Sequence, residues 1–202
     1  MADGGRLDPV ERTRRTYERI AEAYDERIPD AAAMEPLLTR LAGRLPGSGR
    51  VLDLGCGTGR DARWFGDRGY DVVGVDLAAA QLRVAEANAP GASLCRADVR
   101  SLPFRDAWFD GCWCAAVLLH LPRAAVGGAL REARRVLSPG APMFCSVKRG
   151  SGSGVTRTYG TDTGRYVVAY EPDELEGRLV DAGFEVTALT ADERWVEAVV
   201  RA

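Results

Sequence analysis

No run of about 18 consecutive apolar residues occurs in this chain, which excludes a membrane-spanning helix. Residues 1–6 lack an apolar segment of the secretory type, so no export signal is read there and the expected location is the cytoplasm. Zinc-type C-x-x-C spacings are missing as well. The five cysteines, Cys56, Cys95, Cys112, Cys114 and Cys145, therefore read as reduced and largely buried thiols. No acidic cluster is placed for magnesium, and no metal is expected. A formal net charge of −2 argues against a surface built throughout for a nucleic-acid backbone. Lysine is almost absent: Lys148 is the only one, a bias of an alanine-rich, arginine-rich chain that bears no functional weight.

With 202 residues and 46% hydrophobic content, the chain can bury one sizeable core, and a single domain over 1–202 is expected. Residues 1–10, rich in Gly and Asp, are expected to be disordered. A helical cap should occupy 11–48, with helices over 10–26, ended by Pro29, and 34–45, ended by Pro46-Gly47-Ser48-Gly49. Further helices are predicted at 59–68, 79–88, 123–137 and 173–182. Strands are predicted at 51–54, 71–75, 93–97, 110–114, 142–148, 184–189 and 195–200. No internal repeat appears. Such alternation specifies an α/β fold with a doubly wound, mainly parallel seven-stranded sheet, closed by an antiparallel carboxyl-terminal hairpin.

The most informative stretch is Val51-Leu52-Asp53-Leu54-Gly55-Cys56-Gly57-Thr58-Gly59-Arg60, an apolar strand running into three glycines at alternate positions and then a helix. Glycine has no β-carbon and tolerates positive φ, so a ligand can lie against the backbone where strand turns to helix. Dinucleotide folds read G-x-G-x-x-G and seat a pyrophosphate on the helix. Here the run is G-x-G-x-G with Asp53 just before it. A carboxylate repels a pyrophosphate but suits a ligand with an ammonium group, as in S-adenosylmethionine.

Two further carboxylates fall where the second and third strands should end. Asp76 lies 23 positions after Asp53, placed to accept ribose hydroxyls. Asp98 is placed to accept from an adenine amino group, with the Val99 amide donating to the ring. Each aspartate also reads as a helix cap or turn residue.

On these motifs the chain resembles the class I S-adenosylmethionine-dependent methyltransferases, and within them the small-molecule type related to the ubiquinone/menaquinone enzymes. The resemblance covers roughly 17–200 and implies a Rossmann-like sheet. Val73-Gly74-Val75-Asp76-Leu77 is similar to the ribose motif, and Asp98-Val99-Arg100-Ser101-Leu102-Pro103-Phe104 to the adenine motif. Phe109-Asp110-Gly111 through Leu119-His120-Leu121-Pro122 is similar to the fourth strand and its active-site loop. In the turn 135–141, Ala141 stands where the family usually has a glycine. Residue reading and resemblance together give a cofactor set of Tyr24, Asp53, Gly55, Cys56, Gly57, Asp76, Leu77, Asp98, Val99 and Ala115. The resemblance alone places the first helix over the cofactor, with Tyr24 near the methionine end; spacing by itself makes Tyr17 and Tyr24 a core stripe.

His120, the only histidine, is the candidate catalytic base, its ordinary pKa of about 6.5 suiting it to deprotonate an acceptor. Packing of the loop before Pro122 is the alternative. Lys148 and Arg149 would hold a carboxylate or phosphate of the acceptor, or form a solvated rim pair. Residues 149–170 read as a lid insertion carrying Tyr166 to the substrate, or as a flexible linker. Cys114-Ala115-Ala116-Val117 replaces the Asn/Asp-Pro-Pro-aromatic motif of base-amine and protein-glutamine methyltransferases. The expected reaction is therefore O-, N-, S- or C-methylation of a small molecule, as in secondary metabolism. Methylation of a tRNA or a protein side chain is the alternative within the class. A nucleotide-dependent oxidoreductase and a non-catalytic cofactor-binding accessory protein are the alternatives outside it. Oligomeric state is not legible.

Overall fold

In the computed structural model, which describes residues 7–28, 31–157 and 164–202, strands and helices alternate along the chain. The strands are β1 (Arg50–Leu54), β2 (Asp71–Asp76), β3 (Ser93–Arg96), β4 (Gly111–Ala115), β5 (Pro142–Arg149), β6 (Ser153–Thr156), β7 (Arg165–Tyr170), β8 (Glu185–Ala191) and β9 (Trp195–Arg201). The helices are α1 (Pro9–Asp25), α2 (Glu35–Ala42), α3 (Arg60–Gly66), α4 (Ala79–Asn88), α5 (Arg123–Val136) and α6 (Pro172–Asp181).

Strands β3, β2, β1, β4 and β5 pair in parallel in that order, β9 runs antiparallel along β5, and β8 pairs with β9. This is the doubly wound α/β sheet with its antiparallel carboxyl-terminal hairpin. Both faces are covered, and successive side chains of a strand point to opposite faces, so the core divides into two layers. Leu52, Val73, Cys112 and Met143 face α5, whereas Val51, Val72, Trp113 and Phe144 face α2 and α3. Trp113 stacks on Phe144 at 4.3 Å and its indole N–H donates to Asp61 at 2.8 Å, which fixes it as a core residue.

The disorder expected for 1–10 does not extend over 7–10; residues 1–6 lie outside the described residues. Asp8 accepts from the Val10 and Glu11 amides at 3.0 and 3.1 Å, and Pro9 opens α1, an N-cap and first-turn pairing that outweighs the Gly and Asp content. Helix α1 stops at Asp25; Pro29, expected to end it, lies outside the described residues. Glu18 ties α1 down by accepting from the Ala79 and Ala80 amides, the orphan donors at the start of α4, both at 2.9 Å.

The 149–170 segment departs most from expectation, because strands β6 and β7 form an antiparallel hairpin and β7 joins the main sheet. Lys148 pairs with Trp195 of β9 on one edge and with Ala169 of β7 on the other, so β7 takes the edge of β5 that β4 vacates. The sheet thus has nine strands among the described residues rather than seven. A flexible linker is excluded for 165–170, where Val168 and Tyr170 are buried in the core; residues 158–163 lie outside the described residues. Among the described residues no helix is long and apolar enough to cross a membrane.

Candidate active site

The carboxyl ends of β1 to β5 and the start of β9 open on one cavity of about 750 Å³, roofed by α1 and walled by the β6–β7 hairpin. At its β1 side the backbone is left-handed at Gly55 (φ +76) and Gly57 (φ +54). A β-carbon on Gly55 would collide with Val117, so that glycine is needed for packing. One on Gly57 would meet nothing nearer than Gln81 Oε1 at 3.6 Å and the Tyr24 ring at 3.7 Å, so it would project into the cavity.

Asp76, at the end of β2, accepts from the Gly57 amide at 3.1 Å and the Ala78 amide at 2.8 Å while lining the cavity. Burial raises its pKa, and the two amides work against that rise. Leu77, Asp98, Val99, Ala115 and Tyr24 also line the cavity. The Asp98 carboxylate is held by the Arg100 guanidinium, with contacts of 2.6 to 3.1 Å; burial raises its pKa, but the guanidinium bonds, the Arg100 amide and the Arg100 charge together bring it below the usual value. Asp53 and Cys56 lie elsewhere. Both are buried, Cys56 within the loop and Asp53 on β1 just before it, and Asp53, 2% exposed, has one carboxylate oxygen without a hydrogen-bond partner among the described residues. Burial first, then the neighbouring Asp61, pushes its pKa well up. The expected contact between Asp53 and a ligand ammonium is not among the cavity's walls.

Further along the cavity His120 is fixed at both ring nitrogens. Nδ1 lies 2.7 Å from the Tyr166 carbonyl oxygen, which can only accept, so Nδ1 carries the proton. Nε2, 3.1 Å from the Tyr17 hydroxyl, is then the acceptor for the Tyr17 O–H. Arg165 Nη1 donates to the same hydroxyl at 2.9 Å. Burial lowers the His120 pKa to about 4, helped by the nearby Arg165 charge and opposed by the Tyr166 carbonyl. The ring is neutral at physiological pH.

Lys148 lines the cavity, but Arg149 and Tyr166 do not. Arg149 turns to the rim, donating to the Asp192 carbonyl at 2.8 Å with Glu171 at 3.7 Å. Tyr166 contributes its backbone: the carbonyl orients His120 and the amide donates to Thr13 Oγ1 at 3.0 Å. Sequence reading missed Tyr17, whose i, i+7 spacing with Tyr24 reads as core, and Arg165, Arg194 and Trp195, which no motif marks. The cysteines are free; burial pushes Cys145 up to about 12 and Cys56, Cys112 and Cys114 well upward, which leaves them protonated.

An α/β sheet with a glycine loop after β1 and carboxylates after β2 and β3 defines a nucleoside-binding enzyme fold, and known proteins agree. A model described as a methyltransferase domain matches residues 52–145. A protein of Encephalitozoon cuniculi named as a methyltransferase is 34% identical over 167 residues, 74% of this chain and 77% of its own. Malonyl-[acyl-carrier protein] O-methyltransferase of Pseudescherichia vulneris is 34% identical over 137 residues, 67% of this chain and 53% of its own. The chain spans about half the length of that relative. The fold also matches 1,6-didemethyltoxoflavin-N1-methyltransferase of Burkholderia thailandensis, solved with 1,6-didemethyltoxoflavin and S-adenosylhomocysteine. Its TM-score is 0.77 at 24% identity, over 99% of this chain and 92% of that one. The chain belongs to the class I S-adenosylmethionine-dependent methyltransferase family. Its residues fit that cofactor: Gly57 leaves open the space a side chain would fill, and Asp76 still faces it.

Proposed function

We propose that the protein methylates an O, N, S or C atom of a small-molecule acceptor with S-adenosylmethionine. The observation that carries this reading is that one cavity holds both the Gly57–Asp76 cradle and, past Ala115, the oriented imidazole of His120. Its volume lies in the range of sites for small ligands. When bound, the cofactor supplies a methyl group already activated on a sulfonium.

The chain's own work is then positioning and proton handling. Gly57, Asp76, Leu77, Asp98, Val99 and Ala115 would hold the nucleoside, and Tyr24 on α1 would cover it. Aligning the acceptor with the methyl group at near-attack distance is worth roughly 7–11 kcal/mol. The proton that leaves the acceptor passes to the Tyr17 oxygen while the Tyr17 proton moves to His120 Nε2. A base with a pKa of about 4 takes up a proton readily only from a strong acid; the protonated ether or thioether formed by methylating a hydroxyl or thiol is one, whereas the ammonium formed from an amine is not. The β6–β7 hairpin, through Thr156, Arg165 and Val167, serves as a lid on the acceptor side.

Incubation of purified protein with methyl-labelled cofactor and a metabolite extract tests the reading. Label should move to low-molecular-mass products. Tight binding of S-adenosylhomocysteine without any transfer would instead support an accessory protein, and preference for a pyridine dinucleotide an oxidoreductase.

A further inference from the structure

The far wall of the cavity is cationic. Lys148 on β5 is the register partner of Trp195 on β9, and Ser146 that of Glu197, so these four residues present one patch of the sheet to the cavity. Arg165 and Arg194 line the same cavity. Lys148 Nζ sits 4.1 Å from the centroid of the Trp195 ring. Among the described residues, no carboxylate lies within ion-pair distance of Lys148 or Arg194, whereas Arg149, one residue along, is close to Glu171.

Arg194 is held there by its backbone. Its amide donates to Asp192 Oδ1 at 2.6 Å and its carbonyl accepts from the Arg149 amide at 3.0 Å, so the β8–β9 turn fixes the position from which its side chain enters the cavity wall. The cations are close enough to act on one another: Lys148 has its pKa lowered by burial first, then by Arg194 and Arg165, with Asp192 acting the other way. Asp192 is exposed and its Oδ1 takes the Arg194 and Trp195 amides. Glu197 is the carboxylate on this wall; burial followed by Asp192 raises its pKa, and it lies outside ion-pair distance of Lys148 and Arg194. Holding like charges together in a half-enclosed site costs stability that an anionic ligand would return.

The strand order sets the charges apart. Asp76 closes β2, and β2, β1, β4 and β5 are successive neighbours. Three inter-strand steps of about 4.8 Å separate the acidic end from the Lys148 strand by roughly 14 Å, the span of a nucleoside plus a small acceptor.

We infer that the methyl acceptor carries a carboxylate or phosphate group and that Lys148, Arg165 and Arg194 seat it against Trp195. This inference rests on the methyltransferase reading and deepens it. The site takes the nucleoside at the Asp76 end and an oxyanion at the other, with the reacting atom between them near Tyr17.

Calorimetry on the protein saturated with S-adenosylhomocysteine tests it with three probes that share a phenyl ring: benzoate, phenyl phosphate and benzamide, the last the neutral isostere of the first. Either anion, or both, should bind at least tenfold more tightly than the neutral amide, and which of them does so tells a carboxylate site from a phosphate site. Lys148→Met and Arg194→Gln should each weaken the preferred anion at least fivefold and leave benzamide and S-adenosylhomocysteine unchanged. Equal affinity for all three probes, or an anion preference that survives both substitutions, overturns the inference. Failure of S-adenosylhomocysteine itself to bind would bring down the methyltransferase reading beneath it, a separate result seen before any probe is added.

Discussion

The Tyr17 hydroxyl stands 3.1 Å from His120 Nε2, joining the first helix to the loop after β4 across 103 residues of sequence. Since Nδ1 is committed to the Tyr166 carbonyl, this contact gives the one free lone pair of the ring a defined donor. Tyr17→Phe removes the hydroxyl and keeps the ring packing against Tyr24. It should lower kcat on the order of a hundredfold, the low end for a positioned proton-transfer group, with S-adenosylhomocysteine affinity unchanged. Calorimetry together with single-turnover methyl transfer from labelled cofactor separates that outcome from a loss of folding.

The same imidazole makes stability depend on pH. Unfolded, His120 takes up a proton near pH 6.5; folded, burial holds this off to about 4. Between those values the unfolded chain binds more protons, so acidification through that window destabilises the fold, while above about pH 7 this contribution is flat. Asp53 and Asp76, with raised pKa values, pull in the opposite direction, so the test compares two proteins. Urea midpoints of wild type minus His120→Gln should fall steadily from pH 6.5 to 4. A difference that stays constant across that range would show that His120 titrates as it does in the unfolded chain.

Gly55 and Gly57 share a left-handed backbone but should fail differently when replaced by alanine. Each substitution carries a conformational cost of about 1–2 kcal/mol. At Gly55 the new methyl also strikes Val117, so Gly55→Ala should unfold at clearly lower denaturant than Gly57→Ala. At Gly57 the protein leaves room, and the methyl occupies the space assigned to the nucleoside. Gly57→Ala should therefore keep most of its stability and lose S-adenosylhomocysteine binding. Matched denaturation and calorimetry of the two variants decide it.

What the sequence made legible follows from where a single local rule decides. Helix α4 appears over its predicted span because Asp76 and Ala78 before it and Pro90 after it leave no competing boundary. The strands of the central sheet were plain because burial on both faces leaves short apolar runs between turns. Strand β7 was not, since Arg165, Tyr166 and Ala169 interrupt its apolar pattern and its pairing with β5 depends on where β4 ends. Tyr17 looked like core because helical spacing shows which residues share a face, not what that face meets. Arg194 ends the β8–β9 turn and Trp195 opens β9, and their approach to the cavity is set by the antiparallel return of β9 along β5, a long-range fact. Asp53 is buried near the end of β1 and is not among the residues that line the cavity; proximity along the chain to the glycine loop does not fix which way a carboxylate faces.

Asp76 carries two loads, and separating them tests the donor end of the site. Its carboxylate organises the loop through the Gly57 and Ala78 amides, and the same oxygens face the space proposed for the ribose. An ionised carboxylate offers about four acceptor positions, so two backbone donors leave capacity for hydroxyls. Asp76→Ala strips the acceptors from both sets. Hydrogen bonds to a charged group are worth about 1.5–3 kcal/mol, which corresponds to a loss of S-adenosylhomocysteine affinity of roughly 10- to 150-fold. Part of any loss could come from a loosened loop, and Asp76→Asn resolves this. Its amide oxygen can still accept from one backbone N–H, so the asparagine variant should regain thermal stability relative to alanine while binding stays impaired. If both variants bind S-adenosylhomocysteine as tightly as wild type in calorimetry, Asp76 serves the loop alone and the nucleoside is held by other groups.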